Sequence, residues 1–257
     1  MTVLNKKVID NIAPVTVDEC VYMYDGKTLR ETMETINVPS SSQTLPWKGL
    51  KWVAFGDSLT DGTITLANRK YCDIIAEKTG ITMINFGQGG TGYKRTEDNG
   101  TCFYQRMSNI PSDTNILTIF GSVNEWTLLN PHAGNYDGFV EGNASDTIED
   151  NSLCGYINKA IDVAIAKAPD VKIGLITPPI SKLTANLDKI RSAICKVGEY
   201  RNIPVLDLWK VCQLRPNDPI FAQKYYYDYS SEVVVHPSNA GHEWIAPIIL
   251  KFMESII

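Results

Sequence analysis

The chain has 257 residues, 44% of them hydrophobic and 21% charged. These are ordinary globular proportions, and the length suffices to bury a core without disulfide or metal staples. Lys and Arg total 24 against 29 Asp and Glu, a formal net charge of −5, which argues against nucleic-acid binding by bulk charge. The sequence contains no run of about 18 apolar residues, so no membrane span is expected.

The first residues, MTVLNKKVIDNIAP, lack the apolar core of a signal peptide. Val21–Tyr24 reads as a strand, Asp25-Gly26 as a turn and Thr28–Ile36 as a short helix. A Ser- and Pro-punctuated stretch over 38–47 reads as a linker. Residues 1–46 are therefore expected to form an arm and linker, either packed on the main domain or, the preferred reading, serving assembly, and 47–257 the main domain.

Beyond the linker, apolar runs alternate with helical patterns. Trp52–Phe55, Met83–Phe86, Asn115–Phe120, Val171–Thr177 and Pro204–Leu208 read as five strands. Arg69–Lys78, Leu153–Ala168, Leu187–Tyr200 and Glu243–Ile256 read as helices, with apolar residues at i, i+3 and i+4. Pro247 is expected in the first turn of the last one. Continuous apolar strands alternating with helices predict a mostly parallel sheet covered on both faces. The polar stretch Leu128–Asp150 is too long for an ordinary connection and reads as an insertion near the top of the sheet. The six cysteines, Cys20, Cys72, Cys102, Cys154, Cys195 and Cys212, form no CxxC pair and are expected as free thiols.

Three strand ends carry unusual polar sequences: Gly56-Asp-Ser-Leu-Thr60, Gly87-Gln-Gly-Gly-Thr91 and Gly121-Ser-Val-Asn-Glu125. His236-Pro-Ser-Asn-Ala-Gly-His242 precedes the last helix. In open α/β sheets, ligands bind outside the carboxyl ends of the strands. A serine on a strand-to-helix turn can act as nucleophile, a histidine as its base, and glycine and asparagine amides as oxyanion donors. Each part alone has a plainer role as a capped turn, a tight glycine turn or a satisfied histidine. Together and in this order they favour an acyl-transfer site. The glycine block is not a phosphate loop, since GxxxxGK[ST] is absent.

The blocks FGDSLTDG, NFGQGGTG, FGSVNEW and VHPSNAGH resemble, in order and spacing, those of the SGNH (GDSL) hydrolase family over about residues 50–257. The resemblance implies a three-layer α/β/α sandwich with a five-stranded, mostly parallel, flavodoxin-like sheet. It implies Ser58 as nucleophile, His236 as base, and the Ser58 amide, Gly90 and Asn124 as oxyanion donors, with no metal or organic cofactor. The family's aspartate three residues before the histidine is replaced here by Val233. Glu232, Asp228 and Asp207 are the candidate acids to orient His236, with a backbone carbonyl on its second nitrogen or a Ser–His dyad as the alternatives.

The expected substrate is a small acyl ester, such as an acetylated glycan. The alternative is a glycan-binding module with weakened catalysis. The arm YMYDGKTLRETMETI is similar to segments preceding esterase domains in bacteriophage tail proteins. That likeness suggests a homo-oligomer built through the arm, either virion-associated or cytoplasmic. His242 is expected as a capping or surface histidine and His132 as a solvated loop residue. Glu125 stands where many relatives carry aspartate, and Asp57 is expected to fix its turn. Tyr93, Trp126 and Tyr136 are aromatic candidates for packing or for a sugar face.

Overall fold

A computed structural model of the chain describes residues 47–61, 68–95, 100–132, 136–182 and 186–257. Residues Leu45–Ile257 form one compact unit. The expected arm strand, turn, helix and linker, together with Cys20, lie outside the described residues.

Five strands form one sheet: β1 (Lys51–Gly56), β2 (Thr82–Gly87), β3 (Ile116–Phe120), β4 (Lys172–Ile176) and β5 (Val205–Leu206). Their order is β2-β1-β3-β4-β5 and every pairing is parallel. All five residues of β3 are buried, as are Trp52 through Gly56 of β1. Central parallel strands are covered on both faces, which is why these segments read as continuous apolar runs. The edge strand β2 is only half buried, and β5 keeps two of its five expected residues. A buried polar tie joins the two central strands, where the Trp52 indole donates to Thr118 Oγ1 at 2.9 Å.

The helices are α1 (Ser58–Asp61), α2 (Tyr71–Thr79), α3 (Phe103–Met107), α4 (Leu153–Lys167), α5 (Leu187–Tyr200), α6 (Leu208–Val211), α7 (Pro219–Tyr225) and α8 (Asn239–Ile256). Helix α8 packs on α2, while α4 packs on both α3 and α5. The result is a three-layer α/β/α sandwich. Among the described residues no helix is long and apolar enough to cross a membrane.

Two expectations need correction. Helix α8 starts four residues before Glu243, because Ser238 caps it by accepting the Gly241 N–H at 3.3 Å. Pro247 therefore sits inside the helix rather than in its first turn. Proline has no N–H to give the carbonyl of Glu243, but both residues are exposed, so water can serve that carbonyl. Phe139 is 1% exposed, so the polar insertion carries its own apolar anchor. Lys94 ties the insertion down, donating to Asp137 Oδ2 and Asn151 Oδ1, each at 2.6 Å. Of the five described cysteines, all are free, four are buried and Cys195 is half buried.

Candidate active site

The strand order reverses direction between β1 and β3, and ligands bind at such a switch point. Ser58 follows β1 and Asn124 follows β3, one on each side of it. The turn into α1 is fixed by Asp57, whose Oδ1 accepts the Leu59 N–H at 2.9 Å. Its carbonyl accepts from Thr60 and Asp61. Ser58 is thus held at a helix start with 2% exposure. Its Oγ lies 3.0 Å from His236 Nε2.

His236 is held by its own segment. Asp228 Oδ2 lies 2.9 Å from His236 Nδ1. The same carboxylate accepts the backbone N–H groups of Val235 and His236 at 3.0–3.2 Å. An ionised carboxylate only accepts, so Nδ1 carries the proton and Nε2 is left to accept from the Ser58 hydroxyl. The segment closes on itself: Tyr227 N–H donates to His236 O at 2.8 Å, and Ser238 N–H to Tyr225 O at 2.9 Å. An antiparallel bridge joins Tyr226 to Pro237. Asp228 thus lies beside His236 Nδ1 from eight residues upstream, whereas position 233, three residues upstream, holds valine.

The glycine block folds against α1. Gly89 N–H donates to Asp61 Oδ2 at 3.1 Å and Gln88 N–H to Gly56 O at 3.1 Å. Gly90 adopts φ +73°, a left-handed conformation that favours glycine. Among the described residues neither the Ser58 nor the Gly90 backbone N–H meets a protein acceptor. Asn124 opens a 3-10 turn, Asn124–Trp126. Its Nδ2 donates to Thr91 O at 2.8 Å, and its second N–H has only a 3.4 Å contact with Asp57 Oδ2. Ser122 supports the same turn, accepting from Asn124 N–H at 2.8 Å and donating to Thr91 O at 3.2 Å.

Beneath these groups lie three buried ionisable side chains. Burial raises the Asp57 carboxyl above the usual carboxylate range, opposed by the Leu59 and Val123 N–H bonds. Burial raises Glu125 likewise, opposed by the N–H bonds of Arg95 and Lys94 to its Oε1. Among the described residues Glu125 Oε2 has no hydrogen-bond partner, and a Cβ on Gly92 would come within 2.0 Å of Oε1. That close approach is why glycine occupies position 92. Burial lowers Arg106 to about 10, opposed by Asp57 and Asp61. Its guanidinium donates to Gly56 O, Thr91 Oγ1 and Phe86 O.

Ser58, His236, Gly90, Asn124 and Asp228 thus come together, or lie on segments that do. Two candidate acids do not. Glu232 is exposed and makes no bond to His236. Asp207 is engaged by Arg191, whose Nε donates at 2.9 and 3.0 Å. His242 is not a surface residue, and the helix start it serves is that of α2 rather than its own. It is fully buried and stacked on Tyr71, accepting the Tyr71 N–H at Nδ1 over 3.3 Å. The entry of α8 at Asn239 turns it inward. His132 is exposed. Tyr93 is fully buried and offers no face to a ligand, whereas Trp126 and Tyr136 are half buried. The cleft of about 320 Å³ between Ser145–Glu149 and Arg201 contains none of the site residues.

The sequence reading missed Arg106, since α3 gave no periodic signal over its five residues. It also missed α7, although Asp218-Pro219 is an N-cap followed by proline at the first helical position, a recognisable start.

Several solved structures share this fold. A protein from Lactobacillus plantarum is 22% identical, with TM-score 0.65, covering 81% of this chain and 98% of that one. A lipase/acylhydrolase from Enterococcus faecalis is 18% identical, with TM-score 0.53 and coverage of 80% and 96%. An acetylxylan esterase from Geobacillus stearothermophilus is 18% identical, with TM-score 0.52 and coverage of 79% and 94%. No curated protein sequence matches the chain. The sequence model of the GDSL-like lipase/acylhydrolase family matches residues 54–244, from the strand before Ser58 to the helix after His236. The chain therefore belongs to the GDSL-like lipase/acylhydrolase family.

Proposed function

We propose that the protein is a serine esterase acting on small acyl esters, with Ser58, His236 and Asp228 as its catalytic triad. The observation that carries this reading is the chain of contacts from Ser58 Oγ to His236 Nε2 at 3.0 Å and from Nδ1 to Asp228 Oδ2 at 2.9 Å. Ser58 Oγ attacks the ester carbonyl carbon while its proton passes to His236 Nε2. The carbonyl π electrons move onto oxygen, and the Ser58 and Gly90 amides with Asn124 Nδ2 stabilise that oxyanion. Collapse breaks the bond to the alcohol oxygen, which takes the proton from His236. Water, deprotonated by His236, then attacks the acyl-enzyme and frees Ser58 and the carboxylic acid. Asp228 keeps the proton on Nδ1 and stabilises the imidazolium.

Acetylated carbohydrate is the substrate class that best fits the surroundings. Tyr227 and Tyr229 flank Asp228 in sequence and are 47% and 43% exposed. Exposed tyrosine faces suit sugar rings. The rival reading, a binding module with weakened catalysis, rests on the arm's likeness to phage-tail segments and on Val233 in place of the acid. Asp228 beside His236 Nδ1 supports the esterase reading over it.

The test is a fluorophosphonate probe read by intact mass. The parent protein gains one adduct and Ser58→Ala gains none. Acetylated oligosaccharides are then hydrolysed faster than long-chain lipid esters. A folded parent that takes no label sinks the esterase reading.

A further inference from the structure

Arg106 carries a charge into the protein and pairs it with no carboxylate. It is 7% exposed, and no ion pair involves it among the described residues. Its apolar surroundings are Phe55 and Phe103, whose ring centroids lie 4.6 and 5.5 Å from Cζ. Burying an unpaired guanidinium is costly unless its donors are used. All its bonded acceptors lie on the segments that carry Ser58 and Gly90, and one of them, Thr91, in turn holds Asn124.

One terminal nitrogen donates to Thr91 Oγ1 at 2.6 Å and to Gly56 O at 3.3 Å. The other donates to Gly56 O at 3.3 Å and to Phe86 O. Gly56 is the last residue of β1, two before Ser58. Phe86 ends the apolar run of β2, just before the glycine block. Thr91 follows Gly90 directly, and its carbonyl accepts Asn124 Nδ2 at 2.8 Å. The three groups proposed to stabilise the oxyanion come from three different strand ends. One planar fork, with its donors in fixed geometry, fastens two of these ends directly and reaches the third through Thr91, whose carbonyl holds Asn124.

We propose that Arg106 is the positioning residue of the oxyanion site, setting the relative placement of the Ser58 and Gly90 amides and the Asn124 side chain. This rests on the esterase reading and extends it to a residue that touches no substrate. Donors must lie within about 0.5 Å of the productive position to act in the transition state, so a loosened frame lowers kcat more than it raises KM. A point charge on a flexible stem cannot bridge three carbonyl and hydroxyl oxygens as the fork does. Lysine is therefore not an adequate replacement.

The test compares the parent with Arg106→Lys and Arg106→Met, alone and combined with Asn124→Ala, on p-nitrophenyl acetate. Active molecules are counted by fluorophosphonate titration. Arg106→Lys is expected to lower kcat per titrated molecule about 10- to 100-fold, with KM within threefold and the pH midpoint of kcat/KM unmoved. This is below the 10²–10³-fold of removing a donor outright. In the Asn124→Ala background the further loss shrinks, since Arg106 acts partly through Asn124. The Asn124 side-chain amide signal in the NMR spectrum, identified by its loss in Asn124→Ala, shifts or broadens in Arg106→Lys.

A role confined to holding the fold predicts a lower Tm with kcat per titrated molecule and the Asn124 signal unchanged, and that result overturns the proposal. Losses that multiply fully in the double variant overturn it too. A parent without esterase activity, but whose Asn124 signal responds to Arg106→Lys, would refute the esterase reading and still support the positioning role.

Discussion

The two halves of the site are built on different principles. The Ser58 half draws on three strand ends and is fastened by contacts between residues far apart in the chain: Asn124 to Thr91, Val123 to Asp57, and Arg106 to Gly56. Its supporting side chains are buried. The His236 half is local. Asp228, Val235 and His236 bind one another within nine residues, and the segment is closed by bonds from Tyr227 and Ser238. A half made of strand ends takes its geometry from the whole sheet. A local half can be rebuilt within one loop, and that is how the acid can stand eight residues from the histidine in place of three. The outer surface of this loop is exposed at Tyr227, Tyr229 and Val233, while Tyr226, Val234 and Val235 anchor it in the core.

The largest effect is expected in the local half. Asp228→Asn keeps the shape of the acceptor but offers an amide in place of the carboxylate, so His236 loses its tautomer and its support as imidazolium. By analogy with other triads, kcat on p-nitrophenyl acetate falls about 10⁴-fold. Glu232→Gln, four residues further on and exposed, leaves kcat within about twofold. If the two variants lost activity equally, the local half would not be organised around Asp228.

The strand-end half is expected to yield less per residue, because in the proposed mechanism its work is shared among three donors. Asn124→Ala is expected to lower kcat about 10²–10³-fold with the pH midpoint of kcat/KM unchanged, since His236 and Asp228 are untouched. A displaced midpoint would show that the two halves are coupled more tightly than their contacts suggest.

The same contrast explains what the sequence disclosed. Ser58, Gly90 and Asn124 stood out because strand ends are marked by a switch from apolar residues to Gly, Asp and Asn, and parallel strands write those switches clearly. The central strands were readable for the same reason, their residues being buried on both faces. β5 keeps two of its five expected residues, although the other edge strand, β2, spans six. Asp228 was one of three carboxylates that sequence order could not separate; only the closed turn through Ser231, whose N–H reaches Asp228 O at 2.9 Å, selects it. Arg106 was invisible, since a buried arginine on a five-residue helix leaves no periodic trace. His242 was misread because α8 was started too late, and one extra turn of helix carries that ring from the surface into the core.

His242 then sharpens the comparison through stability. Burial lowers it to about 4, aided by Lys70 and His236 and opposed by Asp73. The unfolded chain takes up its proton near pH 6.5 and the folded chain only near 4. Between these values the unfolded state binds more protons, so stability falls as pH drops from 6.5 towards 4. The size over the full window is about 3 kcal/mol, from ~1.4 kcal/mol per pKa unit. Denaturant melts of the parent and His242→Phe at pH 4, 5, 6 and 8 isolate this contribution. The buried Asp57 and Glu125 are present in both proteins, and their raised values act with the opposite sign. The gap between the two curves is expected to change by that amount below pH 6.5 and to be flat above it. A constant gap would mean that His242 titrates alike in both states.

Asp207 offers the smallest effect and a clean control. It stands on the connection after β5, paired with Arg191 at side-chain exposures of 25% and 19%, and takes a further 3.3 Å bond from Thr177. Its carboxyl is held below the usual range because these partners outweigh the cost of partial burial. Asp207→Asn leaves the Arg191 guanidinium with weaker acceptors, for a cost of about 1–2 kcal/mol once partial solvent screening is allowed for. Tm should fall by ~2–4 °C for each kcal/mol in a chain of this size. Because neither partner bonds to Asp228 or His236, kcat should stay within about twofold. A carboxylate that lowers Tm without lowering kcat, set beside Asp228→Asn with its opposite profile, separates the acid that holds the fold from the acid that holds the histidine. If Asp207→Asn lowered kcat as well, the frame of the strand ends would extend past β5, and the His236 half would no longer count as local.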